Sequence, residues 1–313
     1  MRWSLLALIC LVPLALGQHP QKLKGRYFKT KKIKGVEFAR HGDQSLTLEF
    51  HLPQTDGPHP AILVVPGGAW RMRLRWSSYA RAMAREGIAA VTMVHRTVPR
   101  DPHPAQIEDL RAAMQYLRLH AAAFGIDSER IAVAGVSSGG HLATLLALED
   151  DRADPRASSA LERMSTRPRC VLSYSGPMDL VWDPDIKVSR MQLRLVQDFL
   201  NLHWPPRDKA TKESTNKIAR AASPRFHATP DDPPVLLVHG VKDRIVPVDQ
   251  ARRMWTTLKE LSPEHRLVLI PKANHVSYLA QWDGPLGWLP LGKRRKTPPW
   301  WAATREFLRR HLL

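Results

Sequence analysis

From position 61 onward, short apolar runs alternate with stretches of helical period. Ala61-Ile62-Leu63-Val64-Val65 reads as a strand buried on both faces, and it stops at Pro66-Gly67-Gly68. A helix over 77–86 closes before Gly87, a strand follows over 88–94, and a longer helix runs over 104–124 before Gly125. The next strand spans 130–134 and the next helix 139–149. Further strands fall at 169–174, 235–239 and 266–270, with a helix over 248–261 between the last two and a terminal helix over 302–312. Repeated strand-helix order predicts an α/β chain with a mostly parallel central sheet and helices on both faces. Ahead of it, strands at 36–39 and 45–52, the second alternating, give an antiparallel start. Over 177–234 the alternation lapses into an excursion across the sheet, with one amphipathic helix near 189–201.

Residues 1–17 carry an arginine, an apolar run and a small-residue end at Ala15-Leu16-Gly17, the layout of a cleavable secretory signal. A membrane anchor needs about 18 or more apolar residues, and this run is shorter and broken by Pro13, so secretion or periplasmic export without stable membrane insertion is expected. A basic arm over 18–34 then leads into a single domain over 35–313. Cys10 falls in the signal, leaving Cys170, on an apolar run, as a core thiol; no disulfide framework is available. A net charge of +18, with clusters over 22–34 and 293–296, favours an anionic polymer or a membrane surface over nucleic acid in an exported protein. A solvated basic face without a dedicated partner is the plainer alternative.

The candidate chemistry centres on Gly135-Val136-Ser137-Ser138-Gly139-Gly140. A G-x-S-x-G arises by chance in about one 300-residue chain in ten, so its placement decides. Here it joins an apolar strand to a helix, as a nucleophile elbow requires, and the helix N-terminus offers amides to an oxyanion. Ser138 follows the nucleophile and supplies one such amide; Gly67 and Gly68, in the loop after an earlier strand, supply others. A serine hydroxyl needs a base and an orienting carboxylate, expected after later strands in the order Ser, Asp, His. Asp243 follows the strand at 235–239 and His275 follows the strand at 266–270. His239 reads instead as a hydrogen-bonded core histidine, Asp249 as a residue of a first helical turn, Asp127 as a cap, and Asp109 as a structural acid on a helix.

Three runs, 101–109, 124–135 and Gly139-Gly140-His141-Leu142-Ala143, resemble the α/β-hydrolase esterase/lipase family, which includes hormone-sensitive-lipase-like carboxylesterases and bacterial esterases that deacylate plant polysaccharides. The loop from His239-Gly240 through Asp243 to Val246-Pro247 is similar to the acid loop of these esterases and of prolyl-oligopeptidase catalytic domains. The resemblance spans about 60–275 and implies the α/β-hydrolase fold, a Ser137-Asp243-His275 triad, an oxyanion hole of Gly67, Gly68 and Ser138 amides, and no metal or organic cofactor. It also implies a small-molecule or polysaccharide-linked ester as substrate. One departure is Pro66, where the family commonly has histidine. The Trp-rich stretch over 281–301 is expected to wall the acyl or alcohol pocket. A prolyl-oligopeptidase-like peptidase and a non-catalytic basic binding protein on the same scaffold remain as alternatives.

Overall fold

In the computed structural model, residues 27–181, 183, 190–202, 208–279 and 297–313 are described, so the expected signal over 1–17 and the basic cluster over 293–296 lie outside them. Eight strands form one sheet: β1 (Thr30–His41), β2 (Gln44–Pro53), β3 (His59–Val65), β4 (Ala89–Met93), β5 (Ile126–Val136), β6 (Val171–Tyr174), β7 (Val235–Gly240) and β8 (Arg266–Ile270). Their spatial order is β1-β2-β4-β3-β5-β6-β7-β8. β1 and β2 are antiparallel to each other, β2 is antiparallel to β4, and every other pairing is parallel.

The helices are α1 (Ser77–Arg85), α2 (Ala105–Leu119), α3 (Ser138–Leu148), α4 (Arg190–Leu200), α5 (Lys209–Ala221), α6 (Asp249–Leu261) and α7 (Pro299–His311). Strand residues alternate between two cores. Ala61, Leu63 and Val65 face α2, α3 and α6, whereas Ile62 and Val64 face α1 and α7. All eleven residues of α3 are buried, and so are all seven of β3. The most apolar helix therefore lies against the middle of the sheet, where burial of its side chains contributes most.

β5 begins at Ile126 rather than 130, and four further elements differ from expectation. β1 begins at Thr30, inside the stretch expected to be a free basic arm. Its lysines face water, but an edge strand is built from backbone bonds, here pairing Lys31 with Leu52 and Ile33 with Phe50, and lysine suits that position. The helix expected over 104–124 stops at Leu119, and a separate 3-10 turn covers Ala121–Phe124. α5 was not foreseen, because its polar, charged sequence carries too few apolar positions to declare a period. The last helix starts at Pro299 and so takes in Trp300 and Trp301, both buried against Tyr79, Tyr174 and Tyr278 in the core. These two tryptophans do not line the cavity beside Ser137, and Trp282 and Trp288 lie outside the described residues. Cys170 is buried and free, and burial pushes its thiol up to about 12, as befits a core residue.

Candidate active site

Ser137 sits between β5 and α3 with φ 54° and ψ −124°, a conformation that costs a residue with a side chain about 1–3 kcal/mol. The turn is this tight because its flanks are bare. A methyl group at Gly135 would lie 2.0 Å from the Gly139 carbonyl oxygen, and one at Gly139 would lie 2.3 Å from that of Val65. The Ser137 amide donates to the Tyr174 carbonyl at 2.8 Å, and its carbonyl accepts from the His141 amide at 3.1 Å. Strand, elbow and helix are thereby fixed to the next strand.

Asp243 and His275 arrive on neighbouring loops, after β7 and β8. The His275 Nδ1–H donates to Asp243 Oδ2 at 2.7 Å, and Ser137 Oγ donates to His275 Nε2 at 3.1 Å. The three residues singled out from the sequence are therefore in one hydrogen-bonded line. Asp243 Oδ1 accepts from the amides of Ile245 and Val246, both at 2.9 Å. Burial pushes the Asp243 carboxyl up, but hydrogen bonds from His239 and His275 outweigh it and hold the group well below the usual carboxylate range. An ionised, fixed carboxylate selects the His275 tautomer with its lone pair toward Ser137. Asn274 ties the two loops, its Oδ1 accepting from the amides of His275 at 2.8 Å and Arg244 at 3.1 Å. No sequence argument had marked Asn274.

The competing residues take structural places. His239 donates to the Val246 carbonyl at 2.8 Å. Asp109 holds Arg96 through both oxygens, Asp127 bonds the Glu129 amide and Arg130, and Asp249 pairs with Arg252 in the first turn of α6.

Gly67 and Gly68 follow β3 beside the elbow: a methyl group at Gly67 would come within 3.2 Å of Ser137 Cβ, and Gly68 has φ 126°. Ala69 and Trp70, both at positive φ, carry the loop onto the cavity wall, where they meet Ser137 and Ser138. Trp70 anchors it. Its indole N–H donates to His141 Nδ1 at 3.3 Å, and its ring stacks on Phe199 of α4 with centroids 4.3 Å apart. His141 Nε2–H in turn donates to the Ala222 carbonyl at 2.7 Å. Both ring nitrogens of His141 are thus used in the neutral form, and burial pushes it down to about 3. His141 was visible in the Gly-Gly-His run, but its partner 71 positions away was not.

A cavity of about 130 Å³ opens beside Ser137. Leu180, Val181, Leu193, Leu195, Val196 and Val246 give it an apolar wall, contributed by the excursion and the acid loop. Its polar side chains are mostly committed elsewhere. Gln250 Oε1 accepts from the amides of Met178 and Asp179 while its Nε2 donates to the Asp179 carbonyl, and the Asp179 carboxylate pairs with Arg225 at 2.8 Å. Gln250 so staples the loop after β6 to α6 and sets the wall of the cavity.

The BD-FAE family model matches residues 48–258, about two thirds of the chain. The probable carboxylic ester hydrolase LipM of Mycobacterium tuberculosis is 30% identical over 66% of this chain and 47% of its own length. Esterase LipC of the same organism is 31% identical over 70% of this chain and 53% of its own. The chain thus spans about half the length of these relatives. Among solved structures, the acetyl ester-xyloside bifunctional hydrolase of Caldicellulosiruptor lactoaceticus matches with a TM-score of 0.67 at 21% identity, covering 83% of this chain and 94% of that one. At that identity the likeness is one of fold. The matched family region ends before His275, so that residue is located beside Ser137 by geometry alone.

Two outcomes are expected of the loop anchor. Trp70→Ala, by freeing the Gly67–Gly68 loop, lowers kcat of ester turnover by about tenfold to a hundredfold with little change in KM, read by steady-state kinetics on folded protein. The second concerns acid stability. His141 in the folded state titrates near 3, below its ordinary value of 6.5. The unfolded chain therefore binds the extra proton first, and the stability held above pH 6.5 is lost as pH falls toward 3. His103, pushed down to about 4 by burial and by Arg111, acts with the same sign. Each contributes a slope of about 1.4 kcal/mol per pH unit between 6.5 and its own folded value, about 3 for His141 and about 4 for His103, and denaturant melts of His141→Asn should show the slope reduced by one such step.

Proposed function

The chain belongs to the BD-FAE family and has the α/β-hydrolase fold, and from that premise we propose that it is a serine carboxylic ester hydrolase working through an acyl-enzyme. The observation that carries the proposal is the line from Ser137 Oγ through His275 to Asp243, with 3.1 and 2.7 Å contacts, at the lip of an apolar cavity.

Ser137 Oγ attacks the ester carbonyl carbon while His275 Nε2 takes its proton. Asp243 stabilises the resulting imidazolium through Nδ1–H without itself being protonated. The carbonyl oxygen, now an anion, is received by the amides of Ser138, Gly67 and Gly68; Ala69 stands on the same wall. Ser138 is the first residue of α3, where amides have no partner within the helix and the dipole favours negative charge. None of the Gly67, Gly68 and Ala69 amides donates to a backbone carbonyl among the described residues. His275 then returns its proton to the leaving alcohol, and a water deprotonated by the same nitrogen releases the acid and restores Ser137.

The acyl group is short. An apolar cavity of about 150 Å³ holds a benzene ring, so one of this size takes an acyl chain of about six heavy atoms and crowds an octanoyl chain. The fold shared with an acetyl ester-xyloside hydrolase supports an alcohol part that is a carbohydrate. Export through cleavage after Gly17 belongs to the same proposal.

The test is hydrolysis of aryl esters from acetate to octanoate by the exported protein, whose N-terminus is expected to be Gln18. Turnover should fall with acyl length and drop by about 10⁴-fold or more in folded Ser137→Ala and His275→Ala. A folded wild-type protein that neither turns over any of these esters nor labels at Ser137 with a fluorophosphonate would sink the catalytic proposal.

A further inference from the structure

Eight large apolar side chains are exposed among the described residues, and four of them lie on segments that border the cavity beside Ser137: Ile245 in its lining, Met191 next to the lining residue Gln192, and Met72 and Leu74 just after the lining residues Ala69 and Trp70. Met72 and Leu74 stand against the oxyanion loop, where a methyl group at Gly68 would lie 2.8 Å from Met72 Cβ and 3.4 Å from Leu74 Cδ1. Arg71, next to Met72 in the chain, pairs with Asp198 of α4, tying that segment to the helix. At the start of α4, next to Met191, Gln192 Nε2 donates to the Ile245 carbonyl at 2.5 Å, and Ile245 itself lines the cavity. The four side chains, 52, 44, 50 and 38% exposed, therefore stand on the oxyanion loop, α4 and the acid loop, three segments that meet at the cavity and form its rim.

That rim is also cationic. Arg190, Arg194, Lys242 and Arg244 are exposed on the same segments, and no carboxylate pairs with any of them among the described residues. The carboxylates nearby are neutralised, Asp198 by Arg71 and Asp183 by Arg253 at 2.8 Å. Apolar side chains held in water among unpaired cations are costly in isolation and are complementary to an interface with an apolar interior and an anionic face.

We propose that this rim docks the protein on an anionic lipid surface with the mouth of the cavity facing the lipid. An acidic polysaccharide would meet the cations but leave Met72, Leu74, Met191 and Ile245 in water. A second copy of this chain, itself carrying +18, would set cations against cations. A lipid surface satisfies both features. Each cation close to it adds attraction that salt screens, and each buried methionine adds a contribution that salt does not screen.

The docking does not require turnover, so it is read on Ser137→Ala protein by co-sedimentation with vesicles of phosphatidylcholine, with and without about one third phosphatidylglycerol. Binding is expected to the anionic vesicles and not to the neutral ones. The pair Met72→Ser with Met191→Ser, and separately Arg190→Glu with Arg194→Glu, should each weaken it by about tenfold or more, only the charge effect fading at high salt. In the otherwise wild-type protein Arg190→Glu with Arg194→Glu, and Met191→Ser alone, should leave hydrolysis of a soluble aryl acetate unchanged. Failure to bind anionic vesicles overturns the proposal. So does binding to vesicles and dextran sulfate alike that the methionine pair does not alter, or a loss of binding that tracks self-association in sedimentation velocity.

Discussion

Between β5 and α3 the chain reverses over a single residue, and the contact that permits it is the approach of Gly135 to Gly139. Any side chain at either position would occupy space already filled by backbone. With that contact in place, Ser137 is forced into a positive-φ conformation that lifts its hydroxyl clear of the sheet, and the first amides of α3 are turned toward the same point. The strain is local. It is offset by a helix buried along its whole length and by the bond from the Ser137 amide to Tyr174, so the elbow cannot relax without disturbing the centre of the sheet. Ala69, Trp70, Ser175 and Val276, also at positive φ, lie near the same carboxyl ends of the parallel strands. Regular strands and helices thus carry a rim of strained loops, where reacting groups need directions that no regular element gives.

The acid and base are held by a different means. Their loops are stitched by backbone bonds, Lys242 N to the Ala273 carbonyl at 2.9 Å and Val241 N to that of Ile270 at 3.0 Å, and by Asn274, whose side chain bonds one amide from each loop. Asp243 adds the amides of Ile245 and Val246 to its bond from His275. A carboxylate with several fixed donors stays ionised in spite of its burial, and its charge is then available to the imidazolium of the proposed mechanism. Removing any one donor would weaken two things together, the ionisation of Asp243 and the orientation of His275.

Much of this was legible because parallel sheets gather their functional loops at one edge. Once the apolar runs marked where β5, β7 and β8 end, Ser137, Asp243 and His275 were the residues in the right loops and in the right order. What stayed hidden depends on contacts between distant segments. Trp70 is far in the chain from His141, and Gln250 from the loop after β6, and nothing local distinguishes Trp70 or Gln250 from ordinary core or polar residues. α5 was illegible for another reason, its apolar positions being too sparse for a period, and the β1 lysines hid a strand because an edge is held by backbone bonds rather than by side-chain burial.

Pro66 shows how the loop proposed to hold the oxyanion is secured without the histidine common in similar esterases. Proline has no N–H to give and fixes its own φ, so at this point the chain is stiff but poor in hydrogen bonds. The Pro66 carbonyl instead abuts Gly139, where a methyl group would come within 2.5 Å, which packs the start of the loop against the elbow itself. The other end is tied three ways: the Gly68 carbonyl accepts from the amides of Arg71 and Met72 at 2.9 and 3.1 Å, the Trp70 carbonyl accepts from Val98 at 3.1 Å, and the Trp70 indole reaches His141. Because His141 lies on α3, the helix that presents Ser137 and the Ser138 amide also holds the loop that presents Gly67 and Gly68. The donors proposed for the oxyanion are therefore positioned relative to one another by one rigid element, and any displacement of α3 carries nucleophile and donors together.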